Sequence, residues 1–455
     1  MADFKNIKAV YFIGVGGIGM SALARYFRSQ GKRVQGYDKT ETTLTKQLVE
    51  EGIGVDYVDD PERLPKDVQL VVFTPAIPKD HRGLQYYRDH GYELLKRSDV
   101  LGLVTAGSLN VCVAGTHGKT TISTLIAHIL RDSGFGCNAF LGGISANYNT
   151  NFWSNKRKVC VVEADEYDRS FLKLHPDIAV ISSMDADHLD IYGTGAAVEE
   201  AFVEFSRKIK NGGTLISKMG LPLPQLEKNI RQTRYSLADP DADVHAENIR
   251  MANGNYVFDV AGKDWVIKEV KLNIGGWHNI ENTLAAIAVS KNLGLRDEQI
   301  LHAVERFKGV KRRFEYHVLH ESVVYLDDYA HHPKELAALI GSAKELFPGR
   351  KCVIIFQPHL FSRTRDFADA FAASLDMADE VILLPLYPAR ELPMEGVSSA
   401  TILDRMTIAD KQILDKKQVL EKVNEIRGKE KLLLITAGAG DIDTLVKPLT
   451  DLVNA

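Results

Sequence analysis

A chain of 455 residues is too long for one hydrophobic core, and at roughly 100–200 residues per domain about three are expected. Its composition, 45% hydrophobic and 25% charged without low-complexity tracts, excludes a disordered or fibrous protein. With 56 Lys and Arg against 60 Asp and Glu the charge is nearly balanced, so there is no electrostatic case for a nucleic-acid or membrane partner.

The N-terminus, MADFKNIKAVYF, lacks a signal-peptide architecture, and no apolar run is long enough to span a bilayer; a cytoplasmic protein is expected. Cys112, Cys137, Cys160 and Cys352 have no metal-ligand spacing. Two of them sit inside apolar runs, NVCVAG and KVCVVEAD, which predicts buried free thiols in a reducing compartment.

The first apolar run, AVYFIG, leads into VGGIGMSALARYFRSQG, a glycine-rich turn followed by a helical pattern. Gly14, Gly16 and Gly19 fit G-x-G-x-x-G, and Asp38 closes the next apolar run, KRVQGYD. Tight turning, close backbone approach and a helix N-terminus suit a diphosphate. NAD, with Asp38 on its ribose, is the direct reading; any diphosphate-bearing nucleotide would suit the turn equally, and a ligand-free turn is the bland alternative.

The second unit runs from NVCVAG into THGKTTISTLIAHILRDSG. A full P-loop reads G-x-x-x-x-G-K-[ST], but the place of its first glycine is taken by Val113. A shorter loop, Gly115-Thr116-His117-Gly118-Lys119-Thr120, can still cradle phosphates if Gly115 and Gly118 supply the unusual backbone angles. Backbone N–H groups would face the phosphates, Lys119 would be the cation, and Thr120 would face Mg²⁺. Downstream, VVEADEYDRSFLKLHPDIAVISSMDADHLDIYG is dense in carboxylates. Glu163 ends one predicted strand, and Asp185-Ala-Asp187-His188 ends the next. Two adjacent strands would deliver Glu163 and His188 to the phosphate-loop edge, a donor set suited to Mg²⁺, with capping of turns as the alternative.

NYVFDVAGKDWVIKEVKL reads as antiparallel strands and NIENTLAAIAVSKNLG as a helix; the basic GVKRRFE leads to a last strand-turn-helix, VVYLDDYAHH into PKELAALIGSAKELFPG, then KCVIIFQPH. Asp328, Tyr329, His331 and His332 lie at one strand end, with Pro333 at a first helical position; His359, Arg363 and Arg365 follow another. Facing a cleft, these would bind an anionic substrate; singly, a surface or capping role suits each as well. The pattern is α/β: three domains at 1–107, 108–313 and 314–455, the outer two Rossmann-like and the central one a P-loop domain with a mixed sheet.

Across nearly its whole length the chain resembles the Mur ligase family, carrying GVGGIGMS, GTHGKTT, EADE, DADHLDIYG, GWHNIENTLAAIA, GVKRRFE, DDYAHHP, FQPHLFSRTRD and TAGAGDI in that order. The resemblance implies a UDP-sugar-binding first domain, a central ATPase and a third domain that closes on ATP and the amino acid. It replaces NAD by UDP at the first turn, implying contacts from Gly14, Gly16, Gly17, Gly19, Met20, Ser21 and Asp38, with Thr74, Ala76 and Ile77 on the uridine side. It also accounts for the shortened loop at Val113.

By the same resemblance, ATP would meet Gly115 to Thr121, Asn279, Arg313 and Asp328, while Thr120, Glu163 and His188 would hold one Mg²⁺ ion or two. Lys119, Glu163 and His188 would be the catalytic set, and Tyr329, His331 and Arg363 would bind the amino acid and the substrate carboxylate. The implied partners are UDP-N-acetylmuramate, L-alanine and ATP, in a monomer or weak homodimer. Departures stand out. Tyr167 and Arg169 occupy places that read differently in the family's EADESDGSF, and Leu360 replaces the first arginine of PHRYTRTRD. GAAVEEAFVEF also lacks the carbamylated lysine of sister ligases, leaving Glu200 or Glu204 as substitutes. A ligase that attaches a whole tripeptide to the same sugar, an NAD-dependent dehydrogenase and a non-catalytic nucleotide-binding protein are the rival readings.

Overall fold

A computed structural model describes residues 4, 6–227, 229–252, 254–389 and 391–454. Five short parallel strands, β1 (Ala9–Ile13), β2 (Arg33–Tyr37), β3 (Gly54–Asp56), β4 (Leu70–Phe73) and β5 (Leu94–Lys96), form the first sheet in the order β3-β2-β1-β4-β5. β1 is buried along its length, as a continuous apolar run is when both faces of a sheet are covered. The strand order reverses at β1, and there the chain turns through Gly14–Gly17 into the Ile18–Ser29 helix, the place where open parallel sheets bind ligands.

The second sheet is built from β6 (Leu109–Ala114), β7 (Asn138–Ser145), β8 (Thr150–Trp153), β9 (Val159–Glu163), β10 (Ile178–Ile181), β11 (Thr214–Lys218) and β12 (Arg231–Ser236). Strands β13 (Val244–Ala252), β14 (Asn255–Gly262) and β15 (Trp265–Leu272) continue its edge, giving the order β15-β14-β13-β12-β11-β10-β6-β9-β7-β8. β7 and β8 pair antiparallel whereas β6 pairs parallel with both β9 and β10, so the sheet is mixed, as expected. One expectation needs correcting. The strands expected to carry Glu163 and His188 are not neighbours; β9 and β10 lie on opposite sides of β6. The phosphate loop after β6 is therefore flanked by β9, which ends on Glu163, and by the segment after β10; His188 lies in that segment, beyond the strand's end at Ile181 rather than on it.

The third sheet has the order β16-β17-β21-β18-β19-β20, from β16 (Glu315–Leu319), β17 (Val323–Asp328), β18 (Lys351–Phe356), β19 (Glu380–Leu383), β20 (Lys411–Ile413) and β21 (Leu432–Ala437). Only β16 runs antiparallel to its neighbour. Asp328 and Phe356 both register with Ala437, so the DDYAHHP, FQPH and TAGAGDI stretches leave the sheet at one edge. Pro333 opens the Pro333–Leu346 helix as predicted, with His332 as N-cap and Glu335 completing a capping box.

By compactness the chain divides into two units: Met1–Glu247, Asp259–Val270 and Glu281–Arg306 in one, and Asn248–Phe258, Lys271–Ile280 and Phe307–Ala455 in the other. Inside the first unit the first two sheets share one hydrophobic core, running from Ile7 and Phe12 through Leu101 to Cys112, Phe140, Phe171 and Leu215. A polar staple reinforces it: the Asn151 amide donates to the Ile18 carbonyl at 2.6 Å and to Ser21 Oγ at 3.0 Å, and accepts from Arg25. All four cysteines are buried free thiols, and burial pushes each of them up in pKa. No helix among the described residues is long and apolar enough to cross a membrane.

Candidate active site

The phosphate loop has the backbone its sequence requires. Gly115 (φ 135°) and Gly118 (φ 81°) both lie where side chains are strained, and a Cβ on Gly118 would fall 2.6 Å from Asn282 Oδ1. The helix that follows, Lys119–Asp132, has Gly118 as N-cap and no side chain closing its first N–H groups. Those groups remain for an anion. Thr116 Oγ1 lies 2.9 Å from Ser183 Oγ and accepts from the Asp185 N–H at 3.1 Å, while the His117 N–H donates to Ser183 Oγ at 2.8 Å. The segment after β10 thus buttresses the loop. His117 itself is exposed, 3.6 Å from Asp185, and Thr121 is buried on the helix's first turn.

Lys119 Nζ donates to the Gly115 carbonyl at 2.6 Å, to the Thr116 carbonyl at 3.4 Å and to Glu166 Oε1 at 2.8 Å. Thr120 Oγ1 donates to Glu163 Oε1 at 3.0 Å, and Glu163 Oε2 accepts from the Gly142 N–H at 3.0 Å. A side chain at 142 would occupy the space of the Glu163 carboxylate and push it from this position. His188, at φ 52°, has Nε2 3.8 Å from Glu166 Oε1, and its ring meets Tyr167 edge-on. Thr120 is thus bonded to Glu163, while Lys119 and His188 meet at Glu166. Glu200 is exposed and Glu204 half-buried on the Gly195–Ser206 helix.

At the first glycine turn Asp38 does something other than expected from a dinucleotide fingerprint. Its Oδ2 accepts the Gly16 N–H at 2.8 Å, and Oδ1 accepts from Thr40 at 3.3 Å, so the carboxylate closes the turn itself. Thr74 and Ile77 pack over Gly14, while Ala76 stays exposed beside them. Gly17 caps the helix that buries Met20 and Ser21. Arg97, which sequence reasoning missed, lies against Gly19 and donates to Asp165 Oδ2 at 3.1 Å. That places a guanidinium between the turn and the EADE stretch.

In the second compact unit Asp328 accepts the N–H groups of Phe314 and Ala330, each at 2.7 Å; burial is the chief cause pushing its carboxyl up to about 6. Arg313 is exposed, and the buried Asn279 donates to the Gly275 carbonyl at 2.6 Å. The Tyr329 ring lies 5.2 Å from His331, whose ring is 6.4 Å from His359; Arg363 is half-buried and lowers the pKa of His332, after burial of the ring itself. Leu360, in place of the usual arginine, is buried at φ 69°. Nearby, Glu315, His317 and Asp327 cluster as if for a metal, but the Arg312 guanidinium already lies 3.1 Å from Asp327, and Thr436 takes its other oxygen.

Three family models match in order: the Mur ligase family catalytic domain on residues 9–108, the Mur ligase middle domain on 113–290, and the Mur ligase glutamate ligase domain on 312–440. The chain belongs to the Mur ligase family. Its relatives include the UDP-N-acetylmuramate–L-alanine ligases of Flavobacterium johnsoniae, 46% identical with 99% of each chain covered, and of Parabacteroides distasonis, 48% identical with 99% of this chain and 98% of the relative covered. Among solved structures, UDP-N-acetylmuramate–alanine ligase from Thermotoga maritima matches with a TM-score of 0.82 and 28% identity, covering 98% of this chain and 99% of that one. A murein peptide ligase from Psychrobacter arcticus shares the fold at a TM-score of 0.68 and 23% identity, with 98% and 99% covered. As a Mur ligase the chain has three-domain α/β architecture, although the first two domains share a core. Sequence reasoning also missed Asn282, which lies in contact with the loop at Gly118, and Glu166.

Proposed function

We propose that this Mur ligase joins L-alanine to the carboxylate of UDP-N-acetylmuramate, converting ATP to ADP and phosphate, in the cytoplasm and as a step of peptidoglycan precursor synthesis. The observation that carries the reading is the full-length match, at 46–48% identity, to relatives bearing that name. The phosphate-loop geometry agrees with it. The proposal includes domains at 1–107, 108–313 and 314–455, and a monomer or weak homodimer.

Chemically, the sugar carboxylate attacks the γ-phosphate and ADP leaves, giving an acyl phosphate; the alanine amine then attacks that carbonyl, and phosphate leaves with loss of the amine's proton. A carboxylate and a triphosphate repel, so the Lys119 ammonium and the N–H groups at the Lys119–Asp132 N-terminus are assigned to the developing charge. Thr120 and Glu163 offer hard oxygens 3.0 Å apart, held by the glycine gap at 142, and suit Mg²⁺, with His188 as a further ligand. Bound there, Mg²⁺ would supply charge neutralisation on the phosphates. Gly14, Gly16, Gly17, Gly19, Met20, Ser21 and Asp38 are assigned to the UDP side with Thr74, Ala76 and Ile77. Asn279, Arg313 and Asp328 are assigned to ATP, and Tyr329, His331 and Arg363 to alanine and the substrate carboxylate. Excluding water from the acyl phosphate protects it from hydrolysis.

The discriminating experiment compares L-alanine with the L-alanyl-γ-D-glutamyl-meso-diaminopimelate tripeptide as acceptor, following ADP release in the presence of UDP-N-acetylmuramate. Turnover with L-alanine is expected. Turnover with the tripeptide alone would assign the chain to the recycling ligases instead.

A further inference from the structure

An ammonium carries three N–H donors, and those of Lys119 are all taken: two by carbonyls of its own loop, Gly115 and Thr116, and one by Glu166 Oε1 at 2.8 Å. Glu166 is buried, with 1% of its side chain exposed, and Lys119 is half-buried at 14%. Lys119 is therefore turned onto its own loop. Of its three acceptors only Glu166 is charged, so only Glu166 competes in kind with a phosphate.

Glu166 is also held unevenly. Its backbone is pinned, the carbonyl accepting from Tyr192 Oη at 2.7 Å and from the Arg169 N–H at 2.9 Å. Its side chain is held at Oε1 alone, by Lys119: Oε2 is buried and accepts no hydrogen bond among the described residues. A buried oxygen without a donor costs free energy in this arrangement, which favours any other arrangement that satisfies it. Another arrangement is within reach, since His188 Nε2 stands 3.8 Å from Oε1. Next in the chain, Asp168 (φ 52°) and Arg169 (φ 54°) are consecutive non-glycine residues in left-handed conformation, a strained segment beside the pair.

We propose that Glu166 is a positioning residue that occupies, in the nucleotide-free enzyme, the electrostatic place of the incoming phosphates: it holds Lys119 in the loop, is displaced from it by ATP, and swings toward His188. This rests on the assignment of Lys119 to the ATP phosphates. The consequence is a sign opposite to that of an ordinary binding residue, because removing the competing negative charge strengthens nucleotide binding.

The test measures ATP affinity by calorimetry on the full chain, in EDTA and without sugar nucleotide or amino acid, for wild type, Glu166→Gln, Lys119→Met and the double variant. Glu166→Gln is expected to tighten ATP about tenfold, Lys119→Met to weaken it by at least about tenfold, and the gain from Glu166→Gln to vanish once Lys119 is absent. A purely structural role would not produce that dependence on Lys119. If Lys119→Met weakens ATP but Glu166→Gln binds it no better than wild type, the displacement is overturned while the phosphate-loop reading stands. If Lys119→Met binds like wild type, the phosphate-loop reading itself fails, and the displacement with it. Should Glu166→Gln not fold, a crystal structure of the wild type with a non-hydrolysable ATP analogue decides. Lys119 Nζ is expected on a phosphate and out of hydrogen-bond reach of Glu166; an unbroken Lys119–Glu166 bond overturns the proposal.

Discussion

The two glycine turns of the first compact unit look alike in sequence and differ in how each meets charge. Both follow a buried parallel strand and open a helix. The turn at Gly14–Gly19 carries no cation of its own; Arg97 reaches Gly19 from after β5, and a carboxylate, Asp38, already holds one of its N–H groups. The loop at Gly115–Thr120 carries its own cation, Lys119, clamped by Glu166. A glycine pattern thus specifies the shape of a turn. Side chains arriving from elsewhere in the sheet decide what the turn binds.

Five substitutions test that contrast. The largest effect is expected for Lys119→Ala, which should lower ADP release with UDP-N-acetylmuramate and L-alanine by about 10³-fold or more. Activity within tenfold of wild type would remove the loop from the chemistry. Gly118→Val comes next, combining a left-handed φ with a collision at Asn282. It should cost about 1–3 kcal/mol in denaturant unfolding and abolish the ATP-dependent rise in Tm. Gly17→Ala in the other turn, with φ −63° and no neighbour nearer than 3.4 Å, should stay within about 0.5 kcal/mol of wild type. If both turns prove equally intolerant, the contrast is wrong.

A smaller change is expected from Arg97→Ala: about a tenfold rise in KM for UDP-N-acetylmuramate with KM for ATP unchanged. Equal effects on both substrates would show that Arg97 acts through Asp165 rather than on the sugar nucleotide. Asp38→Asn should change least, within about threefold in KM, because the amide oxygen can still accept the Gly16 N–H. In neither form should NAD raise Tm, whereas UDP-N-acetylmuramate should. A clear NAD shift would restore the dinucleotide reading.

What the sequence made legible was local. The strand-turn-helix units, the shortened loop and Pro333 at the start of the Pro333–Leu346 helix all follow from backbone demands that glycine and proline announce over a few positions. Glu163 was readable as a strand-end residue; His188 stands beyond the end of β10 instead, and the flanking of β6 was not readable, since strand order is set by tertiary packing. Arg97, Asn282 and Glu166 were missed for the same reason: each meets its turn only across a sheet edge or a helix packed on it. Asp38 shows the converse failure. Its position fits a ribose contact by spacing, yet its carboxylate bonds to the turn it follows. Nothing in the structure explains why leucine stands at position 360.

The family models divide the chain at residues 108 and 113, but the apolar interior passes that point without a break. Tyr26 of the first helix rests against Phe140 and Phe152 of the second sheet, with ring centroids 5.7 and 6.1 Å apart. The boundary between the matched domains therefore does not coincide with a break in the core. A fragment ending at the first boundary would leave Tyr26 without Phe140 and Phe152, and Ser21 and Arg25 without Asn151, so a screen for sugar-nucleotide mimics needs the piece that keeps β7 and β8 attached.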